Sequence, residues 1–383
     1  MSVPLLDLNA QNLALEAELK IAFERVLRHG QFILGKEVAD FEASVAQLTG
    51  VKHAIGVSSG TDAILLALMA AGIGQGDEVL CPSYTFFATA GCVARAGAKP
   101  VFVDADPVTF NLDMADAANR VTLRTKAIIP VHLFGQSAAM DEVMSLARRH
   151  NLIVIEDTAQ SMGAEYRGRQ LGTIGHMGTY SFFPSKNLGA FGDAGMLVTN
   201  DEALAEQARL LRTHGAKPKY YHKRVGGNFR LDALQAALLG VKLPHYVSYN
   251  ERRRANAAYY TAQLRGILGV ALVNESTAGA KILLPVALPG NDHIWNQYTL
   301  RVVGAGRRDA LRALCGTHAV GTEIYYPVPL HAQECFGYCG CQPGDLPVAM
   351  QLAGEALSVP IYPELDRAQK DEVIAVIRKF LAV

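Results

Sequence analysis

One stretch of this sequence predicts both a fold class and part of a site: Leu152-Ile153-Val154-Ile155-Glu156-Asp157-Thr158-Ala159-Gln160. Its apolar, mostly β-branched start is typical of a strand that is buried on both faces, as in a parallel sheet. The strand ends in two acids, at the edge where open α/β sheets build ligand sites. Strand neighbours face opposite sides, so Glu156 and Asp157 are expected to point apart. Asp157 could equally cap a following helix.

The pattern around this stretch predicts an α/β domain with a mostly parallel sheet. Further strands are expected at 53–57, 78–81, 100–104 and 127–131, and helices at 62–71, 88–95 and 140–149. A long helical region, 231–264, contains Pro244, which should break or kink it. Beyond it, strand-like stretches at 282–288 and 297–303 and helices at 307–314 and 366–381 indicate a smaller α+β unit. We therefore predict a large domain over 1–245 and a small C-terminal domain over 246–383.

Composition excludes several classes of function. The 383 residues include 36 Lys and Arg against 36 Asp and Glu, which leaves no basic excess for binding nucleic acid. The longest apolar run, 63–74, is too short for a membrane span, and the N-terminal residues do not resemble a secretory signal, so a cytoplasmic protein is expected. Cys335, Cys339 and Cys341 lie near His318 and His331, but their spacing matches no standard zinc site, so no metal is expected.

A second stretch carries a candidate nucleophile: Ser181-Phe182-Phe183-Pro184-Ser185-Lys186-Asn187-Leu188-Gly189-Ala190-Phe191-Gly192-Asp193-Ala194-Gly195. A lysine that forms a Schiff base needs a crowded apolar setting that lowers its pKa. The aromatic, proline and glycine neighbours of Lys186 provide such a setting, although a solvated loop lysine is the commoner explanation for a lysine taken alone.

Two further segments have features that would bind a phosphorylated, planar ligand. The Ser58-Ser59-Gly60-Thr61 turn leads from a strand into a helix, whose N-terminus favours phosphate. An aromatic cluster, 82–87, ends another strand and could stack on a ring, although core packing would explain it as well. Asp157 could hold a heterocyclic nitrogen protonated, which makes a pyridine ring a better electron sink.

Together these pieces resemble the DegT/DnrJ/EryC1 sugar aminotransferase family, whose members are fold-type I enzymes dependent on pyridoxal 5'-phosphate. The resemblance covers nearly the whole chain and rests on six motifs, found at residues 30–35, 60–63, 156–160, 181–195, 227–237 and 326–331. It also implies a homodimer whose active sites are shared between subunits. Thr158, Ala194 and Met350 depart from the commonest family pattern, and none of them removes a catalytic group.

The resemblance implies a role for each matching residue. Lys186 would hold the cofactor covalently and move a proton, while Asp157 would pair with the pyridine nitrogen. The other implied cofactor contacts are Gly60, Thr61 and Ser181 at the phosphate, Phe86 on the ring, Gln160 at the ring hydroxyl, and Asn228 from the neighbouring subunit. The implied substrate contacts are Tyr221, Arg230, Tyr326 and His331, and for each of these a surface or structural role is equally open.

The function expected from this resemblance is transfer of an amino group from an amino acid, glutamate being the expected donor, to a keto sugar linked to dTDP or UDP. The run from Asn187 to Asp193 resembles members that aminate the sugar 3-position, and 4-position transfer is the alternative. A lyase or aldolase acting on a free amino acid would keep Lys186 and Asp157. Such an enzyme should also carry an arginine clamp, for which Arg301 is a candidate. A non-catalytic regulator should lack part of the cofactor site.

Overall fold

The computed structural model describes residues 2–382. Its helices are α1 Leu8–Ala14, α2 Glu16–His29, α3 Lys36–Thr49, α4 Gly60–Ala70, α5 Ala88–Arg95, α6 Met114–Asn119, α7 Met140–His150, α8 Glu202–Leu211, α9 Ala233–Lys242, α10 Tyr246–Leu264, α11 Arg307–Thr317, α12 Pro347–Glu355 and α13 Arg367–Leu381. Its strands are β1 His53–Val57, β2 Glu78–Pro82, β3 Lys99–Val103, β4 Thr125–Ile128, β5 Ile153–Asp157, β6 Glu165–Tyr166, β7 Arg169–Gln170, β8 Met177–Ser181, β9 Gly195–Thr199, β10 Val270–Leu272, β11 Ile282–Leu284, β12 Asn291–Asp292, β13 Tyr298–Val302 and β14 Ala356–Val359.

A seven-stranded sheet in the order β1-β9-β8-β5-β4-β2-β3 forms the centre of the large unit. Its neighbours pair in parallel from β8 to β3, whereas β9 runs antiparallel to both β8 and β1. Helices cover both faces, so the strands are buried on both sides. Leu197 of β9 packs with α4 and α8, and its neighbours Met196 and Val198 pack with α3 and α9. The predicted α/β class with a mostly parallel sheet is confirmed.

The break expected at Pro244 is present, because a short 3-10 turn over Leu243–His245 separates α9 from α10. After α10 the chain builds a four-stranded sheet in the order β10-β11-β13-β14, which packs with α10, α11 and α13 around a core of its own. Val3 joins that core and bridges Val320, so the start of the chain packs on this smaller unit. The division at residue 245 stays a prediction.

The sheet positions the site by ending several strands at one edge. The parallel strand β5 ends at Asp157, β8 ends at Ser181, and β1 leads through a turn into α4 at Gly60. These three ends lie at the same edge of the sheet because β1, β8 and β5 run in the same direction, with the antiparallel β9 between β1 and β8. Among the described residues, no helix combines the length and the apolar character needed to cross a bilayer.

Candidate active site

A cavity of about 420 Å³ lies where these strand ends meet the small unit. It brings together most of the predicted site residues, which are sequence-distant: Gly60, Thr61, Phe86, Asp157, Gln160, Ser181, Lys186 and Tyr326. Lys186 and Asp157 therefore face the same cavity, as two residues that bind the same ligand must.

One end of the cavity is a cradle for an anion. Ser59 caps α4 by accepting a hydrogen bond from the Asp62 N–H at 3.0 Å, which leaves other N–H groups of the first turn toward the cavity. Gly60 lies so close to β8 that a Cβ there would stand 2.7 Å from the Ser181 Cβ. Glycine thus lets the helix N-terminus and the Ser181 side chain approach one ligand together, a suitable arrangement for phosphate.

Asp157 lies deeper and is buried. Its Oδ2 accepts a hydrogen bond from the Thr89 hydroxyl at 2.8 Å, and its Oδ1 accepts one from the Ala159 N–H at 3.2 Å. Burial raises the pKa of Asp157, and the Thr89 hydrogen bond opposes that shift. No helix starts directly after β5, so Asp157 caps only a turn. A buried carboxylate with a raised pKa is well suited to hold a cationic ring nitrogen.

Glu156 points to the other side of the strand, as alternation predicts. Its carboxylate accepts hydrogen bonds from His132 Nε2 at 2.9 Å and from the N–H groups of Gly172, Ile174 and Gly175. This acid is therefore fully engaged in holding loops beneath the sheet, and only Asp157 serves the cavity.

Lys186 sits on the turn after β8. Its backbone N–H donates to the Phe183 carbonyl at 2.8 Å, and the loop then turns back so tightly that a Cβ at Gly189 would lie 2.2 Å from the Pro184 carbonyl oxygen. Burial lowers the pKa of the Lys186 amine to about 8, and the Asp157 charge opposes that shift. The neutral, nucleophilic amine is thus accessible near physiological pH.

Gln160 has its carboxamide fixed by two contacts. Its Oε1 accepts a hydrogen bond from the Phe134 N–H at 2.7 Å, and its Nε2 donates to the Tyr326 hydroxyl at 2.9 Å. An amide nitrogen carries two hydrogens, so one remains for a ligand oxygen in the cavity. Gln160 and Tyr326 therefore form one hydrogen-bonded unit across the two parts of the fold.

These groups fit pyridoxal 5'-phosphate. The helix N-terminus and Ser181 suit its phosphate, Asp157 suits its ring nitrogen, Gln160 suits its ring oxygen, and Lys186 suits its aldehyde. Glycine at position 60 lets α4 approach β8 closely, so that the helix N-terminus and Ser181 both face the phosphate end of the cavity.

Four of the predicted site residues lie outside this chain's own cavity lining. Asn228 and Tyr221 are exposed on the segment between α8 and α9, and Arg230 beside them is half-buried with an unpartnered Nε. His331 is buried, with its ring close to the Ser83 hydroxyl and the Pro343 carbonyl. A role for the first three at a partner subunit's site, and for His331 at the substrate, stays a prediction.

Sequence reasoning missed several residues that line the cavity. Gln297 and Tyr325 come from the small unit, and Asp193 follows the lysine loop. Thr89 was missed as well, because nothing in its local sequence indicates a contact with Asp157. The proximity of Asp193 to Lys186 was a usable signal, but the other three depend on the fold.

Within residues 2–382, no group of three His, Cys, Asp or Glu side chains is placed to hold a metal ion.

Comparison with known proteins gives a family match and close relatives. The family model for the DegT/DnrJ/EryC1/StrS aminotransferase family matches residues 14–378. A protein of Geobacillus stearothermophilus named pleiotropic regulatory protein is 49% identical over 99% of each chain. The UDP-N-acetyl-3-dehydro-alpha-D-glucosamine 3-aminotransferase of Acidithiobacillus ferrooxidans is 42% identical over 99% of this chain and 98% of its own.

The fold is also similar to solved structures. The crystal structure of DesV from S. venezuelae, in complex with a ketimine intermediate, superposes with a TM-score of 0.93 and 43% sequence identity. The match covers 99% of this chain and 98% of that one, so the two proteins share both units of the fold.

Proposed function

This chain belongs to the DegT/DnrJ/EryC1/StrS aminotransferase family, and we propose on that premise that it transfers an amino group from glutamate to the 3-keto carbon of a sugar linked to UDP or dTDP. The family expected from the sequence motifs is thereby confirmed. The observation that carries the proposal is the single cavity that holds the Lys186 amine, the Asp157 carboxylate and a phosphate cradle.

Pyridoxal 5'-phosphate, when bound, would supply an electron sink that accepts the amino group from the donor and passes it to the acceptor. Lys186 would hold the cofactor and move a proton, since burial keeps part of its amine neutral. Asp157, oriented by Thr89, would keep the ring nitrogen protonated. Gln160 would donate to the ring oxygen, and Gly60, Thr61 and Ser181 would hold the phosphate. Phe86, at the cavity wall, would cover the ring.

The 3-position follows from two observations. The relative from Acidithiobacillus ferrooxidans is named a 3-aminotransferase, and the run from Asn187 to Asp193 resembles 3-position members. Asp193 lines the cavity, where its carboxylate could accept hydrogen bonds from sugar hydroxyls. Transfer at the 4-position is the alternative.

A homodimer would complete the site. Phe86 and Phe183 line the cavity yet are 60% and 51% exposed, which leaves an apolar rim that a second subunit would cover. The segment 213–230 carries five lysines and arginines and no acid, namely Lys217, Lys219, Lys223, Arg224 and Arg230. From a partner subunit this segment would meet the diphosphate of a nucleotide sugar, with Tyr221 and Arg230 among its contacts and Asn228 at the cofactor phosphate.

The homodimer is tested with mixed dimers that contain one N228A subunit. Asn228 acting across the interface predicts that only the site paired with the altered subunit loses cofactor affinity. Loss in the altered subunit's own site would contradict this arrangement.

Two competing functions lose support from specific contacts. The arginine predicted as the clamp of an amino acid lyase or aldolase, Arg301, is bound to Glu355 at 2.8 Å and to the Pro107 carbonyl, so it is not free for that role. A non-catalytic regulator, as the name of the Geobacillus relative suggests for that protein, should lack cofactor groups, yet Lys186, Asp157 and the phosphate cradle are all present. We also propose a cytoplasmic location, which suits the free thiols among the described residues.

The function is tested by adding glutamate to the purified protein loaded with pyridoxal phosphate. The visible absorption should change from the pyridoxal to the pyridoxamine form, and a UDP- or dTDP-linked 3-keto sugar should restore the first form. K186A should abolish both changes. A protein that cannot be loaded, or whose absorption glutamate leaves unchanged, would refute the proposal.

A further inference from the structure

Three arginine side chains are buried in the described residues, and they differ in what compensates their charge. Arg212 pairs with Glu42 at 2.6 Å, and Arg301 pairs with Glu355 at 2.8 Å. Arg253 is only 3% exposed, yet it makes no ion pair with any residue from 2 to 382. The half-buried Glu364 acts on Arg253 through space without a direct ion pair, so this buried charge is only partly compensated and calls for an explanation.

The contacts of Arg253 leave its guanidinium incompletely satisfied. Its Nη1 donates to the carbonyl oxygens of Trp295, Asn296 and Ile361 at 3.2, 3.2 and 2.6 Å. Its Nε–H has no hydrogen-bond partner. Burial lowers the pKa of Arg253 to about 10, and Tyr246 and the Glu364 carboxylate oppose that shift. Carbonyl dipoles fix the side chain in place, but one strong donor stays free for an anion.

Arg253 lines a second, narrow cavity, of about 30 Å³, which adjoins the site cavity. Ser185, Gln297 and Tyr325 line both cavities, and Ser185 directly precedes Lys186. The Gln297 Oε1 also lacks a partner. Rotating this carboxamide by half a turn would present its NH2 group, a donor, to an anion entering from the site.

The lining that this chain itself gives the site cavity offers little positive charge to a dicarboxylate donor. The one lysine or arginine in its lining is Lys186, and two carboxylates, Asp157 and Asp193, face the same space. A donor whose amino group reacts beside Lys186 therefore finds no other cation in this lining for its carboxylates. Arg253 lines the adjoining cavity, which shares Ser185, Gln297 and Tyr325 with the site cavity.

We propose that the cavity between Ser185, Gln297, Tyr325 and Arg253 is the subsite that binds a carboxylate of the amino donor, with Arg253 as its cation. This inference rests on the proposed function and adds the residue that recognises the donor. The sugar substrate does not use this subsite.

Glutarate is a dicarboxylate that has no amino group to transfer, so its binding affinity reports on the subsite without catalysis. Titration calorimetry of the loaded protein should show glutarate binding that R253M weakens by about 10- to 100-fold, the loss expected for charge-assisted hydrogen bonds. R254M is the matched control, because Arg254 is the next residue and pairs with Asp292 at the surface. It should bind glutarate like the wild type.

Q297E tests the same subsite without removing the buried arginine, in case R253M fails to fold. The new carboxylate would occupy Arg253 and repel the donor, so glutarate binding should weaken at least 10-fold while the thermal unfolding temperature does not fall. Unchanged glutarate binding in Q297E would overturn the subsite.

The amino-donor reaction separates this inference from the function on which it rests. In R253M the glutamate concentration for half-maximal cofactor conversion should rise by about the same factor as for glutarate, while conversion by n-butylamine, which has no carboxylate, stays as in the wild type. If the glutamate concentration for half-maximal conversion is the same in R253M and in the wild type, the subsite is refuted and the proposed function is unaffected. If glutarate binding depends on Arg253 but glutamate does not convert the bound cofactor, the subsite is supported and the proposed function is refuted.

Discussion

Replacing Thr89 with valine tests how the fold holds the Asp157 carboxylate. The two side chains are buried, and the Thr89 hydroxyl donates to Asp157 Oδ2 at 2.8 Å. Valine keeps the shape of threonine but removes the donor. Loss of a hydrogen bond to a buried charged group costs about 2 kcal/mol, which corresponds to about a 30-fold change in an equilibrium constant. We therefore expect T89V to bind pyridoxal phosphate about 30-fold more weakly than the wild type.

The pH dependence of cofactor affinity gives a second, independent readout. The ionised form of Asp157 holds a protonated ring nitrogen, and it is present above the carboxyl pKa and lost as the pH falls through it. Burial already raises that pKa, and the Thr89 hydrogen bond lowers it. Removing the hydroxyl raises the pKa further, so the fall in affinity on acidification should begin at a higher pH in T89V.

The assay is a titration of the apoprotein with pyridoxal phosphate, followed by visible absorption between pH 5 and about 8.5, the span in which a raised carboxyl pKa has its effect. T89S keeps the hydroxyl and should behave like the wild type in both affinity and pH profile. Unfolding of each apoprotein by urea checks that the variants fold. A T89V protein with wild-type affinity and an unshifted profile would refute the role of Thr89 in holding Asp157.

Three other perturbations follow from the same contacts. Because the pKa of Lys186 is lowered to about 8, the rate at which apoprotein captures pyridoxal phosphate should rise with pH and level off above about 8; a rate that still climbs at pH 10 would contradict this. A Cβ at position 60 would lie 2.7 Å from the Ser181 Cβ, so Gly60→Ala should force α4 away from β8, and inorganic phosphate should compete less well with the cofactor; unchanged competition would exclude the cradle. Glu355→Ala leaves Arg301 buried and unpaired, and the free energy of unfolding in urea should fall by about 3 kcal/mol. Glu275, which forms an exposed ion pair with Arg265, is the control: Glu275→Ala should lower the free energy of unfolding by less than about 1 kcal/mol. Equal losses of unfolding free energy in the two variants would refute the argument from burial.

The elements predicted from the sequence are those that hydrophobic periodicity marks. The strand 53–57 and the helix 88–95 match β1 and α5 at both ends, and the break at Pro244 is present. The short β6, β7 and β12 were not predicted, because two-residue strands leave no periodic pattern. The strands β8, β9 and β14 were also not predicted, and the antiparallel direction of β9 has no signal in its sequence, since a strand buried on both faces has the same composition in either direction.

For the site, the sequence by itself determined the groups whose chemistry is local: Lys186 in its glycine-rich loop, Asp157 at a strand end, and the turn at Gly60. Only the tertiary structure decided which distant side chains complete them. Thr89 reaches Asp157, and Gln297 reaches the cavity, because a helix and the small unit pack against the sheet edge. Arg301 is engaged because Glu355 folds beside it. Periodicity and turn chemistry act over a few residues, whereas contacts between sequence-distant side chains depend on how whole elements pack, which local sequence does not encode.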